Sequence, residues 1–198
     1  MPRESYIWVR DCNYILKRLT FIMNQEQNKK EIIYAFIDSN NLYQGLLTDL
    51  PTRKYKGWRI DFKKFKVYLE DKYHVQKFFL FVGYVKENDK MYEELKNSGY
   101  TLIFKPTIAH TDPAGKKSVK GNVDTELVLH TMIELPNYDK AIIVAGDGDY
   151  KCLVEYLDKI NKLDHILIPN QKLYSSLLIP FKKYMIYMNP LRGKVGSK

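Results

Sequence analysis

The stretch Ala141-Ile-Ile-Val-Ala-Gly-Asp-Gly-Asp-Tyr150 decides how this chain is read. An unbroken run of small and apolar residues predicts a strand buried on both faces, the pattern of a parallel sheet. Gly146 and Gly148 then permit a sharp turn, and Asp147 and Asp149 put two carboxylates just past the strand end. In open α/β sheets, sites form beyond the carboxyl ends of the strands. Other acids at equivalent positions would complete such a site.

Working outward, Ile32-Ile-Tyr-Ala-Phe-Ile37 is a second buried run and ends at Asp38. Ser39 or Asn40 is expected to cap a helix reaching Leu47. Asp61 caps an amphipathic segment, Phe62 to Lys72, with Phe65, Tyr68 and Leu69 on one face. Lys77 to Tyr84 and Tyr100 to Lys105 read as strands, separated by a helix from Asn88 to Ser98 that Gly99 stops. Pro106 to Lys120 reads as a polar loop carrying Lys116, Lys117 and Lys120. A helix over Val123 to Leu135 follows, with Leu127, Val128 and Ile133 as its apolar positions. Beyond the opening stretch come a helix from about Tyr150 to Lys162, a strand from His165 to Ile168, a helical pattern from Leu173 to Lys183, and an edge strand from Tyr184 to Met188.

Strands and helices alternating in this way predict an α/β fold with a mostly parallel central sheet between helical layers. The strand ends then share one rim. Residues 1–30 read as a helical extension and linker, with Ile7, Trp8, Ile15 and Leu16 at helix-like spacing. Such a helix is expected to pack on the domain or on another subunit, as in a homodimer. Residues 31–190 form the domain and 191–198 a basic, frayed tail.

The 198 residues suffice for one domain with a full core, and 45% hydrophobic with 28% charged residues is ordinary for a globular protein. A net charge of +9 points to a polyanionic partner, nucleic acid before membrane. Cys12 and Cys152 are too few for a disulfide scaffold or a zinc site, which fits a reducing cytoplasm. Neither a membrane-spanning run nor a signal-peptide pattern is present, so a cytoplasmic protein without membrane association is expected. No Walker A lysine or Gly-x-Ser-x-Gly elbow occurs. Gly146-x-Gly148 is half of a dinucleotide fingerprint, and its acids would repel a pyrophosphate.

Asp38, Asp124, Asp147 and Asp149 are the acids near the rim. Two like charges 4 Å apart cost about 4 kcal/mol at an effective dielectric of 20. A fold tolerates this by protonating some groups or by binding a cation. An oxygen-only, sulfur-free set suits Mg²⁺ or Mn²⁺. Each acid also has an ordinary role open to it: Asp38 as a helix cap, Asp124 at a helix N-terminus, Asp147 and Asp149 in a turn.

At these residues the sequence resembles the NYN domain family, a LabA-like branch of the PIN-like nucleases. The matching pieces are Phe36-Ile-Asp-Ser-Asn-Asn-Leu-Tyr43, Lys120-Gly-Asn-Val-Asp124 and Ile143-Val-Ala-Gly-Asp-Gly-Asp-Tyr150. The resemblance implies a Rossmann-like three-layer α/β/α fold and metal-dependent hydrolysis of RNA. It also implies that Asp38, Asp124, Asp147 and Asp149 hold the metal while Asn41 orients water or a phosphate oxygen. His130 stands where many members place a further Asp, and Ser39 where glycine is usual. On this reading Lys116, Lys117 and Lys120 attract the RNA backbone, and Trp58, Tyr43 and Tyr55 are base-stacking candidates. The alternatives are an RNA-binding or adaptor domain without activity, or another metal-dependent phosphohydrolase.

Overall fold

The computed structural model describes residues 30–48, 57–105, 108–111, 117–120 and 124–197. Readings that fall on residues 1–29, on Tyr55 and on Lys116 lie outside these. The chain enters β1 (Ile33–Asp38) and continues through α1 (Ser39–Leu47), α2 (Phe62–Tyr73), β2 (Val75–Gly83), α3 (Asp89–Asn97) and β3 (Tyr100–Lys105). Two short strands follow, β4 (Ile108–Thr111) and β5 (Lys117–Lys120), then α4 (Asp124–Ile133), β6 (Lys140–Val144), α5 (Lys151–Lys159), β7 (Leu163–Ile168), β8 (Met185–Tyr187) and α6 (Arg192–Val195).

Six strands form the central sheet in the order β3-β2-β1-β6-β7-β8, and each neighbouring pair is parallel. This is the expected α/β architecture. From β1 the chain builds outward through β2 to β3, then returns to β1's other side and builds outward through β7 to β8. The gap between the carboxyl ends of β1 and β6 is therefore the topological switch point, where open α/β sheets bind their ligands.

The pleat sorts the core into two layers. Ala35, Ile37, Phe78, Leu80, Ile142 and Val144 pack with Leu42 and Leu46 of α1 and Phe65 and Leu69 of α2. The alternate residues, Phe36, Phe79, Phe81 and Ile143, pack with Leu127 of α4 and Leu153, Val154 and Leu157 of α5. Asp61 caps α2 by accepting from the Lys64 N–H, and Gly99 ends α3's turn at φ +91, as expected.

The structure settles or corrects the expectations at several places. Of the caps open to α1 in the sequence, Asp38, Ser39 and Asn40, it is Asp38 that serves. The span read as a polar loop contains an antiparallel hairpin, with Ile108 opposite Lys120 and Thr111 opposite Lys117. The 173–183 pattern is a 3₁₀ run over Ser176–Tyr184, because Pro180 lacks the N–H an α-helix needs. Ile133 is exposed rather than inward. The tail is docked rather than frayed: Val195 is fully buried, and Gly196 forms a bridge with Ile60. No helix among the described residues is long and apolar enough to cross a membrane.

Trp58 is a core residue, 7% exposed, in the α1/α2 layer, and its backbone N–H donates to the Leu46 carbonyl at 2.9 Å. Its setting among basic residues suggested a stacking surface, yet its ring faces the core and offers no base a platform. Trp58→Ala is expected to cost about 3–5 kcal/mol of stability. A thermal melt should fall by roughly 10 °C; an unchanged melting temperature would place the ring outside the core.

Candidate metal and phosphate site

Asp38 shares its side of the pleat with Phe36, so its side chain lies toward α4 and α5. It is 3% exposed. Its Oδ1 accepts the Asn41 N–H at 2.9 Å, capping α1, and its Oδ2 accepts the Tyr150 hydroxyl at 2.7 Å. The Tyr150 ring fills the core between sheet and helices, and its hydroxyl also lies 2.6 Å from Asp124 Oδ1. Asp124 is the first residue of α4. One buried hydroxyl thus ties together the end of β1, the start of α4 and the turn after β6.

A tyrosine hydroxyl carries a single proton, so it donates to one carboxylate at a time. Two contacts of this length are both favourable only when one carboxylate is protonated or a cation neutralises the pair. Burial pushes the Asp38 carboxyl above its ordinary value of 3.8; hydrogen bonds from the Asn41 N–H and Tyr150 oppose the rise, and the Asp124 charge adds to it. Burial foremost, then the two carboxylates, also raises the Tyr150 hydroxyl far above its usual range, so it keeps its proton.

The glycine-aspartate turn closes the other side. The Gly146 N–H donates to Asn41 Oδ1 at 2.7 Å, which leaves Nδ2 as the donor end of that amide. Asp147 Oδ1 accepts the Asp149 N–H at 3.2 Å and opens the 3₁₀ turn Gly148–Tyr150. A Cβ at Gly148 would sit 2.5 Å from Ser175 Oγ, so the turn packs too closely for a side chain. Asp149 is exposed and Asp147 half-buried.

The structure brings Asp38 and Asp124 together through Tyr150 and sets Asn41 beside them. Asp147 and Asp149 lie on the adjoining turn. Among the described residues, no group of three or more His, Cys, Asp or Glu is close enough to hold a metal ion. His130 packs its ring on Phe81, the β2 neighbour of Asp38, at 5.8 Å between centroids. Lys117 and Lys120 lie on β5, and Tyr43 on α1 is 46% exposed. Lys105, at the end of β3, pairs with Glu126 of α4 at 3.2 Å. Mg²⁺ is commonly held by one or two carboxylates with water and substrate phosphate completing its shell. The Asp38–Asp124 pair fits that donor set in kind and number. The sequence reading missed Tyr150 as a site residue, although a hydroxyl-bearing aromatic directly after Gly-Asp-Gly-Asp was its visible signal.

A family model described as the NYN domain matches residues 33–189. The crystal structure of a protein of unknown function from Vibrio parahaemolyticus RIMD 2210633 has a similar fold. Its TM-score is 0.64 at 22% identity, covering 86% of this chain and 98% of that one. No curated protein matches the chain.

The Asp38 shift sets a pH dependence. Its folded-state value lies above 3.8, so stability from this group is full below the unfolded value and is lost as pH rises through the folded value. Asn at position 38 keeps a cap acceptor and removes the buried charge. In metal-free buffer at pH 7, Asp38→Asn is expected to raise stability by about 1 kcal/mol, or roughly 2–4 °C. The gap should close as pH falls through the folded value toward 3.8. Thermal melts across pH in chelator check this; a variant less stable than wild type at pH 7 contradicts it.

Proposed function

Because the chain belongs to the NYN domain family, we propose that it is a metal-dependent ribonuclease that hydrolyses RNA phosphodiester bonds in the crevice between β1 and β6. Members of the family are generally nucleases. The observation that carries the reading is the Asp38–Tyr150–Asp124 bridge at the sheet's switch point, beside two further acids. The net charge of +9 suits a polyanionic substrate.

Asp38 and Asp124 are the residues that would hold Mg²⁺ or Mn²⁺, with Asp147 and Asp149 on the adjoining turn. When bound, such an ion supplies charge neutralisation at the phosphate and a more acidic water. Tyr150 keeps the two carboxylates at a fixed spacing. Asn41, its amide oriented by the Gly146 N–H, donates from Nδ2 to a nonbridging phosphate oxygen. Asp147 and Asp149 take the proton released as water's oxygen bonds to phosphorus and the opposite P–O bond breaks. The leaving oxygen is protonated from solvent. Lys116, Lys117 and Lys120 draw the strand in by its phosphates.

One observation favours a second reading, in which the domain binds RNA without cutting it. His130 occupies a family acid position and packs on Phe81, and the described residues gather two close carboxylates rather than three. One assay separates the two readings. Wild type with Mg²⁺ or Mn²⁺ should cleave single-stranded or structured RNA, and Asp147→Asn should cut at least about 100-fold more slowly. Equal cutting by both proteins defeats the catalytic assignment; RNA binding without any cutting establishes the second reading.

RNA affinity provides a separate check. If the lysines of the 116–120 segment contact phosphate, replacing all three by alanine should lower the slope of log affinity against log salt by about 2. An unchanged slope removes them from the RNA path.

A further inference from the structure

Beside the acidic crevice lies a cavity of about 170 Å³ whose lining includes Asn41, Gln44, Thr48, Gly146, Pro169 and Leu173. Three strand ends build it: Asn41 and Gln44 rise from the helix after β1, Gly146 follows β6, and Pro169 and Asn170 follow β7. Asn41 and Gly146 belong to both places, since the hydrogen bond between them is the shared wall. A ligand in the cavity would therefore lie against Asn41, whose backbone N–H bonds Asp38.

Its walls are held in place. Asn170, 4% exposed, donates from Nδ2 to the Gly45 carbonyl at 3.0 Å and accepts the Lys172 N–H at Oδ1, also at 3.0 Å. A Cβ at Gly45 would fall 2.7 Å from Pro169 Cβ, so the glycine lets α1 close against the segment after β7. The rim side chains are free to meet a ligand: Gln44 is exposed and Leu173 is 51% exposed.

The lining chemistry is selective. None of the lining residues is charged, in a chain with 32 Lys and Arg, so nothing there would retain a phosphate. Pro169 and Leu173 supply apolar surface, while Asn41, Gln44 and Thr48 supply amide and hydroxyl groups. Flat apolar faces with a hydrogen-bonding edge describe a nucleobase. The volume is below the roughly 300–1,000 Å³ of drug-sized pockets and matches a single ring system.

We propose that this cavity is a base-binding subsite that holds the nucleobase next to the scissile phosphate, so that the enzyme engages unpaired RNA with one base turned out of its stack. The inference rests on the ribonuclease reading and adds to it a base subsite and a register. Gln44 and Leu173 are its specificity-determining residues. Both are exposed, so their replacement by alanine spares the fold.

The test is a binding measurement that needs no turnover. Full-length Asp147→Asn protein, as a non-cleaving background, is titrated with short fluorescent single-stranded RNAs in which one abasic ribose is moved along the strand. One position should weaken binding about tenfold when its base is missing. Gln44→Ala with Leu173→Ala should weaken the intact strand by a similar factor and leave the strand abasic at that position unaffected. RNA binding in which no abasic position differs from the others, or in which the double substitution weakens both strands equally, overturns the subsite and leaves the ribonuclease reading standing. Failure of every RNA to bind overturns both.

Discussion

A single buried hydroxyl governs this structure's functional end. Tyr150 sits with its ring in the hydrophobic layer and its oxygen within 2.7 Å of two carboxylates that belong to different elements. Burying a charge is expensive unless it is paired and hydrogen-bonded. Asp38 meets that demand with the Asn41 N–H, the tyrosine hydroxyl and its own raised proton affinity. The arrangement is satisfied only when something positive, a proton or a cation, lies with the two acids. A site of this kind is strained when empty of positive charge and relaxed when it holds one, as expected where function rather than stability has selected the residues.

The sheet topology explains why these groups meet. Parallel order places every strand's carboxyl end on one rim, and the reversal between β1 and β6 opens a gap there that neither neighbouring connection fills. The period-two pleat then turns Asp38 to the side of Phe36, against α4, and away from Ile37 and α1's core. The acidic crevice sits in a chain with an excess of basic residues, so the local and overall charges have opposite signs. A polyanion drawn by the basic surface would be admitted at the acids only with a cation between them, which ties substrate and metal together physically.

Much of this was legible in the chain. Continuous apolar runs ending in aspartate mark β1 and β6, and the alternation of strand and helix patterns gives the parallel sheet, because burial on both faces leaves so clear a trace. What escaped was set by tertiary contact. The strands β4 and β5 are short and polar, and their pairing with each other leaves no periodicity to read. Trp58 stood among basic residues and looked like surface, yet only packing against α1 and α2 decides that its ring is core. Of the three residues open as caps for α1, Asp38 serves rather than Ser39 or Asn40, because the strand's last residue has its carboxylate beside the Asn41 N–H. Tyr150 looked like the first residue of an amphipathic helix, and half of it is that: the ring belongs to the core and the hydroxyl to the site.

The most direct test of the central claim is anomalous diffraction from crystals of the full chain soaked in Mn²⁺. A Mn²⁺ peak is expected between the carboxylates of Asp38 and Asp124. A soaked crystal with no peak between those two carboxylates, while Mn²⁺ is bound elsewhere on the protein, would contradict it.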